Sequence, residues 1–141
     1  MSKIIKNKVI LVTLIVAMAL LSSISFCALN WSYLIDCTLG FEDIKIGILQ
    51  KDGFSCYGTT DVEFPHYAGI TVYLKVLDEE GDWVTVTAWE DQGYIIASVD
   101  EEYAVGSGTY RLETTHKAFD SSDLDTPVEM HYIESDPITI Y

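Results

Sequence analysis

Carboxylates are the side chains with which this chain could do chemistry, because 22 Asp and Glu residues stand against 8 Lys and Arg. Two groups are crowded enough to hold a hard cation. Asp78, Glu79, Glu80 and Asp82 share one turn, and Asp120, Asp123 and Asp125 share another loop. Calcium takes six to eight oxygens, commonly from such loops. The EF-hand spacing is absent, and acidic turns are ordinarily just solvated, so calcium is the alternative reading here. Paired carboxylates can also hydrolyse glycosides, but nothing marks two of these acids as a pair. His66, His116 and His131 are scattered, and no Gly-x-Ser-x-Gly elbow accompanies them. The nucleophile-plus-base arrangement of covalent catalysis is therefore not indicated. Cys37, Cys56 and His66 do not follow a zinc-ligand spacing. The expectation is a protein that is not an enzyme and needs no cofactor, with a small hydrolase the third choice.

Recognition needs different residues. Trp31, Tyr73, Trp83, Trp89 and Tyr94 could stack on sugar rings or grip a protein surface. In the run Trp83 to Trp89, WVTVTAW, simple alternation puts both tryptophans on one face with Thr85 and Thr87. Val84, Val86 and Ala88 take the other. Either face can be the buried one, so the tryptophans are core or an exposed platform. Cys37 and Cys56 are open in the same way: an oxidising compartment favours a bridge, whereas both also suit small buried apolar positions.

The elements that must position these residues read as strands. Gly69 to Asp78, GITVYLKVLD, alternates Ile70, Val72, Leu74 and Val76 against Thr71, Tyr73 and Lys75. The acidic turn follows, and Trp83 to Trp89 returns to complete a hairpin. Further strands are expected at Trp31 to Thr38, Ile44 to Leu49, Phe54 to Thr60, Tyr94 to Val99, Thr109 to Lys117, Val128 to Glu134 and Ile138 to Tyr141. Gly40, Asp52-Gly53, Gly93, Gly106-Ser107-Gly108 and Pro137 punctuate them, and Tyr67 to Ile70 and Leu124 to Pro127 sit near longer loops. Short strands with turn signals every ten residues or so predict an all-β sandwich or barrel. In Gly108 to Lys117, Tyr110, Leu112, Thr114 and His116 share one face, and Arg111, Glu113 and Thr115 the other. Tyr110 is placed where immunoglobulin-like sandwiches use a tyrosine to tie a corner.

The N-terminus has the layout of an export signal. Lys3, Lys6 and Lys8 precede an apolar run from Val9 to Leu21, and Ser22, Ser23 and Ser25 follow. Residues 1–28 are expected to form a signal helix ahead of one domain over 29–141. An uncleaved anchor over residues 9–26 is the alternative and would be the one membrane association. Lipidation at Cys27 is disfavoured by bulky Phe26 before it. Asn30-Trp31-Ser32 is a glycosylation sequon, relevant in a eukaryotic host. Loss of the signal removes three lysines and leaves five basic residues against 22 acidic ones, a formal net charge of −17. That surface excludes nucleic acid as a partner, since such binding depends on neutralising phosphate. An extracellular protein or glycan is the expected partner.

Several landmarks fall in order: Cys56-x-Gly58-x-Thr60, Ile70-x-Val72-x-Leu74, Trp83 and Trp89, Gly108-x-Tyr110-Arg111-Leu112, His116, and Ile138-x-Ile140. On these residues the chain resembles a family of small exported proteins of Gram-positive bacteria, known as a domain of unknown function. The resemblance covers nearly all of residues 29–141. It implies a signal peptide and an immunoglobulin-like antiparallel β-sandwich of about seven to eight strands, and it implies no activity. The Gly106-Ser107-Gly108 stretch departs from it, having fewer aromatics than the family's Tyr-rich approach to that strand. The reading of the sequence is a secreted or cell-surface, non-enzymatic β-sandwich that binds or builds, with a calcium-dependent adhesion module as the alternative.

Overall fold

The computed structural model describes residues 32–141. The expected signal segment, Cys27 and Trp31 lie outside the described residues. Eight strands are present among those described: β1 (Leu34–Ile46), β2 (Lys51–Val62), β3 (Tyr67–Leu77), β4 (Trp83–Tyr94), β5 (Ile96–Ala104), β6 (Gly108–Asp120), β7 (Asp123–Glu134) and β8 (Ile138–Ile140). All pairings are antiparallel. One sheet has the order β1-β2-β5. The other runs β4-β3-β6-β7, with β8 pairing the first residues of β6. The expected all-β antiparallel sandwich of seven to eight strands is the fold observed.

The core lies between the sheets and follows the alternation of the two central strands. Ile70, Val72 and Leu74 of β3 and Leu112 of β6 are at most 1% exposed, each contributing roughly 2 kcal/mol of apolar burial. Phe54, Cys56 and Val62 meet them from β2. Tyr110 ties the corner as expected: its hydroxyl donates to the Gly106 carbonyl at 3.1 Å. The sheets are also joined by polar contacts. Thr60 of β2 and Thr114 of β6 bracket the fully buried His116 through Nδ1 (2.7 Å) and Nε2 (3.0 Å).

Three expectations about the strands are corrected. Gly40 does not break a strand, because β1 runs through it as one element of 13 residues. The Tyr57 ring from β2 lies across Gly40, where a Cβ would fall 1.8 Å from Tyr57 Cζ, so this glycine makes room for an aromatic ring. The reversal comes instead at Gly47 and Gln50, both with positive φ, which leaves Ile48 and Leu49 exposed at the turn apex. Tyr67 to Ile70 and Leu124 to Pro127 belong to β3 and β7. The third correction concerns β4. Leu74 pairs with Thr87 but Lys75 with Thr85, so Val86 is the extra residue of a bulge. One inserted residue reverses the facing of everything beyond it. Trp89 therefore points inward and packs edge-on to Tyr103 at 6.0 Å. Trp83 points outward, and the tryptophans do not share a face.

Candidate functional site

The outer face of the β4-β3-β6-β7 sheet collects the polar halves of the alternating strands. The register sets Lys75 beside Arg111, Tyr73 beside Glu113, Thr71 beside Thr115, and Gly69 beside Lys117. β7 extends these rows with Glu134, Tyr132 and Met130, and β4 with Ala88, Glu90 and Gln92. Five basic residues follow position 28, and Lys75, Arg111 and Lys117 all stand here. The other two, Lys45 and Lys51, flank the β1–β2 turn.

This face is recessed. Thr71 is 1% and Thr115 8% exposed, although an outward threonine on an open sheet would be half solvated. The edge strands reach over the middle: Gln92 of β4 donates from Nε2 to the Leu124 carbonyl of β7 at 3.3 Å, above Gly69. Two recesses lie on this face, one of about 430 Å³ beside this crossing and one of about 530 Å³ over Tyr73, Thr115 and Tyr132, within the range of small-ligand sites. Lys117 lines both.

The charges are arranged as a chain. Glu113 accepts from both Lys75 and Arg111, and Arg111 also reaches Glu134 at 2.9 Å. Burial alone would raise the Glu113 carboxyl, but the hydrogen bonds and charges of Lys75 and Arg111 bring it below its ordinary range. The Arg111 guanidinium lies 4.4 Å from the Trp83 ring centroid, which fixes both side chains. Lys117 differs from its neighbours. It makes no ion pair among the described residues, and its Nζ donates to Thr71 Oγ1 at 3.2 Å. Thr71 in turn donates to Glu90 Oε1 at 3.3 Å.

The candidate aromatics thus divide. Tyr73 and Trp83 lie on this face, Trp89 is turned into the core, and Trp31 is outside the described residues. Tyr94 sits at the far end of the sheet with Tyr67 (5.1 Å) and Phe64 (6.1 Å). The residues not singled out from sequence are Lys75, Arg111, Glu113, Thr115, Lys117, Met130 and Tyr132. Their signal was present for β3 and β6, whose alternation separated Thr71, Tyr73 and Lys75 from the apolar face. For β7 the outward pattern was masked by the extra residue Val128, which has no partner in the β6 register.

The acidic turns also divide. Ligand oxygens of Asp78, Glu80 and Asp82 lie within 4.8 Å of one another. Asp78 also shapes its own turn, accepting through Oδ1 from the amides of Glu80 (3.0 Å) and Asp82 (2.8 Å). Asp120, Asp123 and Asp125 do not converge in this way. Asp120 caps Ser122, and Asp123 accepts from the amides of Asp125 and Thr126; these bonds hold both carboxyls below their usual range.

The Cys37–Cys56 bridge is not formed, and both thiols are free. Cys37 is opposite Thr60 in the register, whereas Cys56 is opposite Phe41. Four residues of strand separate them, about 13 Å at the usual rise, well beyond the Cα separation a disulfide bridges. Burial pushes the Cys56 thiol up to about 12. Burial, aided by Asp36, Glu129 and Asp61, takes Cys37 to about 11. The histidines do not gather either. His116 is internal, His66 bonds the Glu63 carbonyl at 3.0 Å, and His131 pairs with His116 across the β6–β7 register.

Compared with known proteins, the chain matches no family model, no curated protein and no solved structure.

Proposed function

We propose that the chain is an exported, non-enzymatic recognition module that binds an extracellular partner through the outer face of its β4-β3-β6-β7 sheet. The observation that carries this reading is the gathering of Lys75, Arg111 and Lys117 with Tyr73 and Tyr132 on one recessed face. In a domain so poor in cations, a solvated face of average composition would not hold three of five. Export rests on the N-terminal lysines and apolar run, and on the resemblance to small exported Gram-positive proteins that the landmarks from Cys56 to Ile140 carry. The test is binding of the purified full chain, carrying a C-terminal fluorescent tag, to the surface of the cells that produce it. Saturable binding that disappears in a Tyr73→Ala, Lys117→Glu double variant supports the reading. Binding unaffected by those changes, or no binding at all, counts against it.

A calcium-dependent surface or adhesion module is the second reading, favoured by the convergence of Asp78, Glu80 and Asp82 in the β3–β4 turn. Its test is the melting temperature in calcium against chelator, since a ligand that binds only the native state must stabilise it.

A further inference from the structure

We infer that the outer-face trough takes a neutral saccharide, its rings laid along Tyr73 and Tyr132 and its hydroxyls bonded to the Thr71, Thr115 and Lys117 row. The inference rests on the recognition reading and names its ligand class. Three observations carry it, the first being the alternation of donors and acceptors. Two hydrogen-bonded runs line the trough, Glu90–Thr71–Lys117 and Lys75–Glu113–Arg111–Glu134, and each offers both carboxylate acceptors and cationic donors. A hydroxyl both donates and accepts, so a polyol satisfies such a row wherever it lies. A polyanion would meet Glu90, Glu113 and Glu134, and an apolar segment would leave the same groups without solvent.

The second observation is the aromatic wall. Tyr132 is 66% exposed and Met130 49%, side by side on β7 over a floor of buried threonines. Their apolar surface is free for the C–H face of a ring, while the floor supplies hydroxyls. The third is the bonding of Lys117. Its ammonium has three donors, one of which goes to Thr71. It makes no direct ion pair among the described residues and lines both recesses, so it has donor capacity left for a ligand there. With Glu90, Asp91, Asp125, Glu113 and Glu134 against Lys75, Arg111 and Lys117, the trough is far less negative than the rest of the molecule but still not cationic, which disfavours an anionic ligand.

The experiment is affinity electrophoresis of the full chain through gels containing neutral glucan, mannan or galactan, with a polyuronate gel for comparison. Retardation by at least one neutral polysaccharide is expected, with less than about twofold change in Kd between 0.05 and 0.5 M NaCl, because screening acts on charge. Tyr132→Ala should weaken it about tenfold or more, and Lys117→Met should weaken it too. Phe64→Ala, an exposed aromatic at the far end, should leave it unchanged. Thermal melts of each variant separate lost binding from lost folding. Retardation only in polyuronate, falling steeply with salt, overturns the neutral-saccharide inference. So does cell-surface binding without retardation in any gel, especially where protease treatment of the cells abolishes it; the recognition reading then stands. Absence of both kinds of binding overturns the two together.

Discussion

Protonating His116 would place a second N–H against a hydroxyl whose own hydrogen already points at the ring. Thr114 Oγ1 donates to the Ile133 carbonyl at 3.3 Å, so it accepts from Nε2–H. That leaves Nδ1 as the acceptor for Thr60. Burial, and secondarily the neighbouring His131, lower the imidazole from 6.5 to about 4. The unfolded chain takes up its proton near 6.5, while the folded one resists until about 4. This contribution to stability is therefore intact above pH 6.5 and declines as the pH falls toward 4. At about 1.4 kcal/mol per pH unit, the loss amounts to roughly 3 kcal/mol. Urea unfolding between pH 7.5 and 4 should show this slope, and His116→Leu should flatten it while lowering stability throughout, since two buried hydroxyls lose their partner. An unchanged slope in the variant would assign the pH dependence elsewhere. The thiols make a second residue-scale prediction. With Cys56 wholly buried and its thiol pushed up to about 12, peptide mapping after brief alkylation at pH 8 should find Cys56 unmodified until denaturant is added. Cys37 should react first, though slowly.

Gly93 shows how a single position shapes an element. It is the penultimate residue of β4, two before Ile95, the one residue by which the chain passes from one sheet to the other. A Cβ on Gly93 would fall 2.2 Å from the Ile96 carbonyl oxygen, a backbone atom that cannot swing aside. Gly106 has nothing within 4 Å of its Cβ position. Gly93→Ala should therefore cost about 1–3 kcal/mol, and Gly106→Ala should be nearly neutral; equal midpoints in denaturant would refute the contrast. From sequence, both glycines read alike, as punctuation. The same limit explains the rest of what was and was not legible. Period-two alternation located β3 and β6 and their faces, because side chains inside a regular strand have only two directions. It misassigned Trp83 relative to Trp89, because one extra residue at Val86 changes the facing without any change in the hydrophobic pattern. It divided β1 at Gly40, because a glycine under a neighbouring ring and a glycine in a turn are the same letter. The trough was beyond reach for a related reason: its rows are built across four strands, and only the register tells which residues stand abreast.

At the scale of the whole molecule, self-repulsion outweighs every other electrostatic effect. Beyond residue 28, five cations face 22 carboxylates. Four ion pairs occupy three of those cations, Lys45, Lys75 and Arg111, with Arg111 and Glu113 each serving in two. Salt weakens those pairs, but exposed pairs contribute at most about 1 kcal/mol each. It also screens the much larger set of like-charged contacts, over a Debye length of about 10 Å at 0.1 M. Repulsion should win, so the melting temperature should rise as NaCl goes from 10 to 300 mM, by roughly 4 °C for each kcal/mol gained. That background decides how a calcium experiment is interpreted, because any cation stabilises an overcharged chain. The comparison must be made at matched ionic strength, with NaCl, MgCl₂ and CaCl₂. If the three melts coincide, Asp78, Glu80 and Asp82 form a solvated turn that Asp78 caps through two amides. A specific site gives a different signature. At a hundred times Kd, calcium would add about 2.7 kcal/mol beyond the screening gain, and Asp82→Asn would erase that increment while keeping the rise with NaCl. The two variables separate cleanly, since screening depends on all 22 carboxylates and a bound ion on the three of one turn.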